Sequence, residues 1–404
     1  MKLLFVPLFG TIWIAINIFF LPFFPWTEGL YRPWLLLQGL APYRDFLWNR
    51  GIVDLAILTG VYKLFGVTPT VYQGLIFALF TLLGLLLYFS LKKKSLNLAI
   101  LSYSIYITFL FPLFSNAEIE EVLVGIFSLI SYFALWKSME MKNLFPLFIA
   151  GVSTGLGYLT KQTSAVLMPI SVLYIIFLRE KFSFENWKTI VASLSTYVAG
   201  LLIPLLAFAF YLLQQGILGD YLYGLYFVAT VYQGWAKPWG IVGGVRMIAV
   251  YLSIIIPFLF LSDSRNQRMR YLLAAYILGL FVMLLPSYWS YRLVASFPLL
   301  AIAAATLIRE AKKGIVIVSV IAFIVFFLPF GREYIQFMRD NGFSFGQHLL
   351  DYGDNEIAAA DWLTQHTKED EKVFNIANNI IMFNAKRLPH NRYIGGMPID
   401  FLPF

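Results

Sequence analysis

The amino-acid sequence predicts an all-α polytopic membrane protein of about 11 transmembrane helices, with an interfacial helix in the first outer loop and a small α/β segment at the C-terminus. Three observations predict this class. Of the 404 residues, 60% are hydrophobic and only 13% are charged, whereas a soluble chain is about a quarter charged. Apolar runs of about 20 residues recur along the chain, and short basic connections separate them on one side. The composition excludes a cytosolic enzyme and a disordered chain.

The predicted spans are apolar runs long enough, or nearly so, to cross the hydrocarbon core of a bilayer. The stretch 52–67 carries Asp54 and Lys63 and is too short to span, so we interpret it as a helix along the membrane surface. The first span follows Lys2 without a small-residue cleavage site, which favours a retained signal anchor. The predicted spans are 3–24, 69–91, 97–114, 122–138, 144–160, 164–178, 189–213, 241–261, 271–288, 293–308 and 315–330.

The distribution of lysine and arginine predicts the orientation in the cytoplasmic membrane. With the N-terminus inside, every inner connection is short and basic, as in the Lys92, Lys93 and Lys94 run. The loop 25–68 and the tail 331–404 then lie outside, so the C-terminus is extracytoplasmic. The sequence divides into a transmembrane domain over 1–330 and an outer segment over 331–404. In that segment we predict helices at 355–367 and 378–383 and a short strand at 373–376.

The first outer loop is rich in charged, aromatic and turn residues, which makes it a candidate site. Glu28 lies just past the first span beside Tyr31, where partial burial would raise its pKa and suit it to proton abstraction. Asp45 is a second candidate, although it could equally be a structural partner of Arg44 or Arg50. An ordinary polar connection with mutually paired charges is the alternative for any one of these residues.

Three other outer connections supply further candidates. Glu118 and Glu121 share a helix face and could turn toward the first loop, although the helix dipole alone favours acids at this position. Lys161 stands between two short apolar segments, where it either snorkels or meets an anion. Arg292 follows Tyr291 in an aromatic turn and suits either a phosphate or interfacial anchoring.

Motifs and residue types that the sequence lacks exclude several classes of function. No Walker A or dinucleotide-binding motif follows a predicted strand, and no zinc-protease motif is present. The chain has no cysteine and three histidines, so thiolate metal sites are excluded. Charges within the predicted spans are scarce, which disfavours an ion-coupled transporter. The net charge of +8 forms no basic stripe, so we expect no nucleic-acid partner.

Motifs in several outer connections resemble those of the GT-C glycosyltransferases, in the branch of the protein O-mannosyltransferases and the bacterial aminoarabinose–lipid A transferase. They read TEGLY, LQGLAPYRDF, YKLFGVT, NAEIEE, GLGYLTKQTS and YWSYRLVASFPLLAI, followed in the tail by AADWLTQHT, DEKVFN and NAKRLPHNRY. The resemblance covers most of the chain, and the order and sidedness of the motifs carry more weight than any one motif.

The resemblance implies transfer of a sugar from a polyprenyl-phosphate carrier to an acceptor hydroxyl on the outer face, with inversion. The family's catalytic carboxylate belongs to an acidic pair that here reads Thr27-Glu28, so Glu28 alone stands at the motif. Asp45 and Glu118 are the alternative candidates for the catalytic base. By similarity, Lys161 and Arg292 would contact the carrier phosphate.

The substrates and cofactors follow from the same hypothesis. We expect a lipid, glycan or protein acceptor, no required cofactor and room for a divalent cation. Arg44, Tyr31 and Tyr291 are further substrate-binding candidates. Two alternatives stay open: a flippase or transporter of polyprenyl-linked glycan, and a non-catalytic scaffold of the cell envelope.

Overall fold

The computed structural model of the chain describes residues 2–20, 27–48, 50–110, 119–141, 143–180, 183–230, 241–261, 267–282, 290–341, 354–373 and 379–390. Most of these residues are helical. The helices of the predicted transmembrane domain are α1 Lys2–Phe20, α2 Thr27–Leu37, α3 Val53–Phe65, α4 Pro69–Lys92, α5 Leu96–Leu110, α6 Ile119–Met141, α7 Phe145–Thr160, α8 Leu167–Leu173, α9 Trp187–Gln214, α10 Leu218–Thr230, α11 Ile241–Leu259, α12 Gln267–Val282, α13 Phe297–Glu310 and α14 Lys313–Asn341.

Several helices have the length and composition of membrane spans. Within the described ranges, four helical stretches are long and apolar enough to cross a bilayer: Pro69–Lys92, Ile119–Met141, Gln162–Arg179 and Trp187–Gln214. Shorter apolar helices occupy other predicted spans, for example Leu96–Leu110 and Phe145–Thr160. The prediction of a multi-pass all-α membrane protein is confirmed, while the count of 11 spans stays a prediction.

Two predicted elements differ in detail from the structure. The predicted span 164–178 is helical but irregular, because 3-10 geometry at Gln162–Val166 and π geometry at Tyr174–Arg179 flank α8. Helix α14 continues through residue 330 to Asn341, so the expected boundary between the two domains falls inside a helix. The predicted surface helix at 52–67 is present as α3, and its relation to the membrane stays a prediction.

Small residues let α7 and α9 approach each other closely. A Cβ atom on Gly151 would enter the backbone of Tyr197, and one on Gly200 would enter the backbone of Phe148. Glycine at such positions lets helix backbones approach where lipid offers no hydrophobic driving force for association. This contact fixes α7, whose C-terminal end carries Lys161.

Buried hydroxyl groups link helices in the middle of the bundle. The hydroxyl of Ser131 on α6 lies 3.1 Å from that of Thr154 on α7 and 2.8 Å from that of Tyr276 on α12. The Tyr276 hydroxyl also lies 2.8 Å from that of Ser171 on α8. Such hydrogen bonds between helices contribute about 0.6 kcal/mol each on average in membranes, so this network sets the packing of four helices.

Charged contacts gather at two opposite ends of the bundle. At one end, Lys94 pairs with Glu140, and Arg309 donates to the Ser95 hydroxyl at 3.0 Å. All four residues belong to connections that the charge pattern assigns to the inside. At the other end, residues of three predicted outer connections meet. The structure thus groups the connections as the sequence predicts, and the orientation of the ends in a membrane stays a prediction.

The C-terminal segment forms a small α/β unit. It contains α15 Asp354–His366, β1 Lys372–Val373, α16 Asn379–Ala385 and β2 Leu388–Pro389, with the two strands parallel. Both predicted helices are present, and the described part of the predicted strand is β1. The hydroxyl of Tyr31 on α2 donates to the carbonyl of Arg387 at 3.0 Å, which docks this unit on the outer loop.

Candidate functional site

The loop between α2 and α3, part of the predicted first outer loop, turns sharply between Ala41 and Phe46. Tyr43 has a positive φ of 71°, and its N–H donates to the Phe46 carbonyl at 2.9 Å. The Asp45 carboxylate accepts from the Ala41 N–H at 2.7 Å and from the Arg44 guanidinium at 3.0 Å. Because Arg44 stabilises its charged form, the pKa of Asp45 is lowered. These contacts explain Asp45 as a residue that holds the turn.

The same loop then presses against the end of α7. The Tyr43 hydroxyl donates to the Arg50 carbonyl at 3.0 Å, and the Trp48 indole N–H donates to the Gly51 carbonyl. At Gly51 any Cβ atom would enter the backbone of Leu159. Only glycine therefore fits here, and its contact carries the Arg50 side chain inward toward α6 and α7.

Arg50, Glu120, Glu121 and Lys161 form a chain of ion pairs in which only Arg50 is partly exposed. Arg50 pairs with Glu120, and Lys161 pairs with Glu121 while its ammonium lies 4.0 Å from the second oxygen of Glu120. Glu120 and Glu121 are 4% and 0% exposed and occupy the first turn of α6, where the helix dipole favours negative charge.

A tryptophan extends this chain of charges to α2. The guanidinium of Arg32 lies 5.0 Å from the Trp48 ring centre, and that of Arg50 lies 5.9 Å from it. Cations over an indole ring are stabilised by its quadrupole, more strongly when they are desolvated. We call the set Arg32, Trp48, Arg50, Glu120, Glu121 and Lys161 the outer cluster. Asp54, which is 2% exposed in the first turn of α3, follows Arg50 by four residues in the chain.

The outer cluster is chemically suited to an anionic ligand and to proton transfer. The set has three cations and two carboxylates, so it carries one net positive charge, and the lower dielectric of this largely buried site strengthens the attraction of that charge for a phosphate. One carboxylate oxygen each of Glu120 and Glu121, the Oε2 atom, is buried and accepts no hydrogen bond from the residues that the structure describes. No group of three histidine, aspartate or glutamate side chains in the described ranges is arranged to hold a metal ion.

The predicted site residues fall into three groups. Lys161 lies in the outer cluster, with carboxylates of its own chain as the anions it meets. Arg44 and Asp45 pair in the loop turn, and Tyr31 is buried against the C-terminal unit. The remaining predicted site residues are not fully described. Glu118 lies outside the described residues. For Glu28, Tyr291 and Arg292 only the backbone is described, in α2 for Glu28 and in a 3-10 turn for the other two.

Sequence reasoning did not select Arg32, Arg50 or Glu120 as site residues. A signal was present in NAEIEE, where three acids exceed what a helix N-terminus requires, and Glu121 was already considered there. The partners of Glu120 and Glu121 come from loops 70 and 40 residues away in the chain, and sequence spacing does not reveal such contacts.

Comparison of the chain with protein-family models and with curated protein sequences returns no match. Comparison with solved structures does. ArnT from Cupriavidus metallidurans in the apo state superposes with a TM-score of 0.60 at 13% identity, over 96% of this chain and 84% of that one. ArnT bound to undecaprenyl phosphate gives 0.59.

The archaeal oligosaccharyltransferase AglB from Archaeoglobus fulgidus, in complex with an inhibitory peptide and a dolichol-phosphate, superposes with a TM-score of 0.54 at 11% identity. The match covers 96% of this chain and 64% of that one, so the chain spans less than two thirds of the oligosaccharyltransferase. At these identities the likeness establishes the fold. The chain has the GT-C fold that these membrane transferases share.

Proposed function

We propose that the protein is a membrane glycosyltransferase that moves a sugar from a polyprenyl-phosphate donor to an acceptor hydroxyl on the outer face, with inversion. The observation that carries this proposal is the outer cluster, a buried set of cations and carboxylates at one end of a GT-C fold. One solved structure of AglB is a complex with a dolichol-phosphate, and one of ArnT is bound to undecaprenyl phosphate, which supports a lipid phosphate as the ligand.

In the proposed reaction, a carboxylate accepts the proton of the acceptor hydroxyl. The hydroxyl oxygen attacks the anomeric carbon, its new bond to that carbon forms as the bond to the phosphate oxygen breaks, and the polyprenyl phosphate departs with the electron pair. A single displacement of this kind inverts the anomeric carbon. General-base help of this kind typically contributes about 10²- to 10⁴-fold to the rate.

Glu28 is the base that we propose. It lies in the first turn of α2 and precedes Arg32 by four residues, so the two positions share a helix face. Arg32 is 6% exposed and belongs to the outer cluster. A base on this face would stand beside the cations that hold the phosphate. Asp45 is less suited, because a lowered pKa weakens a base.

Lys161, Arg50 and Arg292 are the proposed counterions of the departing phosphate. Cations aimed at developing negative charge stabilise a transition state more than a ground state. Lys161 is held in position by Glu121, and Arg50 is held by Glu120. The scheme requires no cofactor, and a divalent cation at the carboxylates would only supplement these charges.

Sugar transfer by purified protein in detergent tests these roles. Glu28→Gln should lower the turnover by about 10²-fold or more while the lipid donor still binds. Glu185→Gln, at an exposed position in a predicted inner connection, is the matched control and should transfer at the wild-type rate. Unchanged transfer by Glu28→Gln would move the base to Asp45, Glu118 or Glu120, each of which the corresponding amide variant examines.

A further inference from the structure

A groove of about 770 Å³ opens between α4 and α6 at the basic end of the bundle. Its walls are apolar over most of their length and include Leu82, Leu86, Phe89 and Phe133. Leu82 is 45% exposed and Phe89 is 42% exposed, so the two helices leave the groove open instead of closing it. Both helices have the composition of membrane spans, which places the opening toward lipid.

The residues of each wall follow the helical repeat and end in a lysine. On α4, Leu82, Leu86 and Phe89 lead to Lys93 in steps of four, three and four residues. On α6, Phe133 leads to Lys137 in one step of four. Residues at these spacings lie on one face of a helix. The groove is therefore apolar along its length and has two positive charges at its end, and we call it the lysine groove.

A third lysine closes the end of the lysine groove and is already neutralised. Lys94 pairs with Glu140 and lies 3.8 Å from the Trp136 ring centre. Lys93 and Lys137 have no carboxylate partner among the residues that the structure describes. Lysines at span ends often only snorkel to the interface, but snorkelling does not require two of them to line one groove beside exposed apolar side chains.

We propose that the lysine groove binds an anionic diacyl phospholipid of the phosphatidylglycerol class. Its acyl chains would lie along the apolar walls, and its phosphate would meet Lys93 and Lys137. The sugar donor is not the occupant, because Glu121 of the outer cluster lies 16 residues before Lys137 on α6, about 24 Å away at 1.5 Å per residue. This site is independent of the proposed transferase activity.

Native mass spectrometry of the full chain in neutral detergent tests this site by titration with phosphatidylglycerol and, separately, with phosphatidylcholine. The wild type should bind one phosphatidylglycerol more tightly than phosphatidylcholine. Lys93→Gln/Lys137→Gln should weaken phosphatidylglycerol binding by about 30-fold, at about fivefold per lysine, and leave phosphatidylcholine binding unchanged. Lys312→Gln/Lys313→Gln removes two exposed lysines of another predicted inner connection and should bind as the wild type does.

Three outcomes of the phospholipid titrations would overturn the proposal. They are equal affinity for the two lipids in the wild type, an unchanged preference in Lys93→Gln/Lys137→Gln, and the same loss in the Lys312→Gln/Lys313→Gln control. Undecaprenyl phosphate is titrated in a further arm. If its binding also depends on Lys93 and Lys137, and the wild type does not prefer phosphatidylglycerol to it, the groove is assigned to the carrier lipid instead. Phe89→Ala, which keeps both positive charges, should weaken the binding of phosphatidylglycerol and of phosphatidylcholine to the same extent.

Discussion

Replacing Lys161 by methionine should destabilise the protein severely, because it leaves Glu121 as a buried charge without its counterion. Methionine has nearly the length of lysine and is compatible with the apolar surroundings. The Glu121 side chain is fully buried and that of Lys161 is 10% exposed. Water therefore cannot replace the lost ammonium group.

The magnitude follows from the geometry of the outer cluster. Breaking a buried ion pair by removing one partner typically costs about 3–5 kcal/mol. The weaker contact of Lys161 with Glu120, at 4.0 Å, corresponds to about 4 kcal/mol at an effective dielectric constant of about 20. We expect the free energy of unfolding to fall by about 4 kcal/mol, since desolvation of the lysine offsets part of the summed attraction.

A double-mutant cycle isolates the pair. The free energy of unfolding would be measured in mixed detergent micelles for the wild type, Lys161→Met, Glu121→Met and the double variant. Because the double variant buries no unpaired charge at these two positions, it should be less than about 1.5 kcal/mol below the wild type. Lys63→Met, at an exposed lysine of α3, is the control and should change stability by less than about 0.5 kcal/mol.

The cycle also separates stability from chemistry. The double variant should fold and bind detergent as the wild type does, yet transfer no sugar, because the phosphate has lost a counterion. Strictly additive single and double variants, or a cost below about 1 kcal/mol for Lys161→Met, would refute the pairing on which the outer cluster rests.

Three further predictions concern the loop between α2 and α3 and the C-terminal unit. Gly51→Ala should abolish sugar transfer and lower the thermal unfolding midpoint, because the added Cβ would enter the backbone of α7. The control is Gly60→Ala, in open space on α3, which should stabilise the protein by up to about 1 kcal/mol in the same thermal scan. Arg387→Ala should speed hydrogen exchange in α15 at least tenfold, because this 3% exposed arginine donates to carbonyls of the C-terminal unit; exchange at the wild-type rate would contradict its role. Arg44→Gln should raise the pKa of Asp45 toward its ordinary value. The lowered pKa in the wild type stabilises the folded protein at pH values above the ordinary carboxyl pKa, and this stabilisation is lost as the pH falls through the folded-state pKa. In an acid titration the variant should therefore unfold at a higher pH than the wild type, by a small margin because the pair is so exposed.

Local patterns predicted much of the fold. The tail helix expected at 355–367 is observed at Asp354–His366, and the expected surface helix at 52–67 is Val53–Phe65. Both follow from hydrophobic spacing and flanking turn residues, which act within one element. The irregular helix at Gln162–Arg179 was missed in its details, because π and 3-10 turns depend on packing against α12 and α9.

Contacts between distant loops could be predicted only in part. Lys161 was expected either to snorkel or to meet an anion, because a lysine between apolar segments is costly otherwise, and in the structure it pairs with Glu121. The approach of Gly51 to α7 has no local signature, although it delivers Arg50 to Glu120. Tyr31, a predicted substrate-binding residue, donates to the Arg387 carbonyl, and no local pattern reveals a contact across more than 350 residues of chain.

The proposed activity is tested by transfer of a labelled sugar from a panel of polyprenyl-phosphate sugars, with the anomeric configuration of the product read by NMR. We expect purified wild-type protein to transfer sugar from at least one of these donors with inversion of the anomeric carbon. The Glu28→Gln variant should lose this activity, and the Glu185→Gln variant should keep it. Binding of the donors without transfer of any sugar would contradict the proposed activity and would favour a carrier or scaffold of polyprenyl lipids.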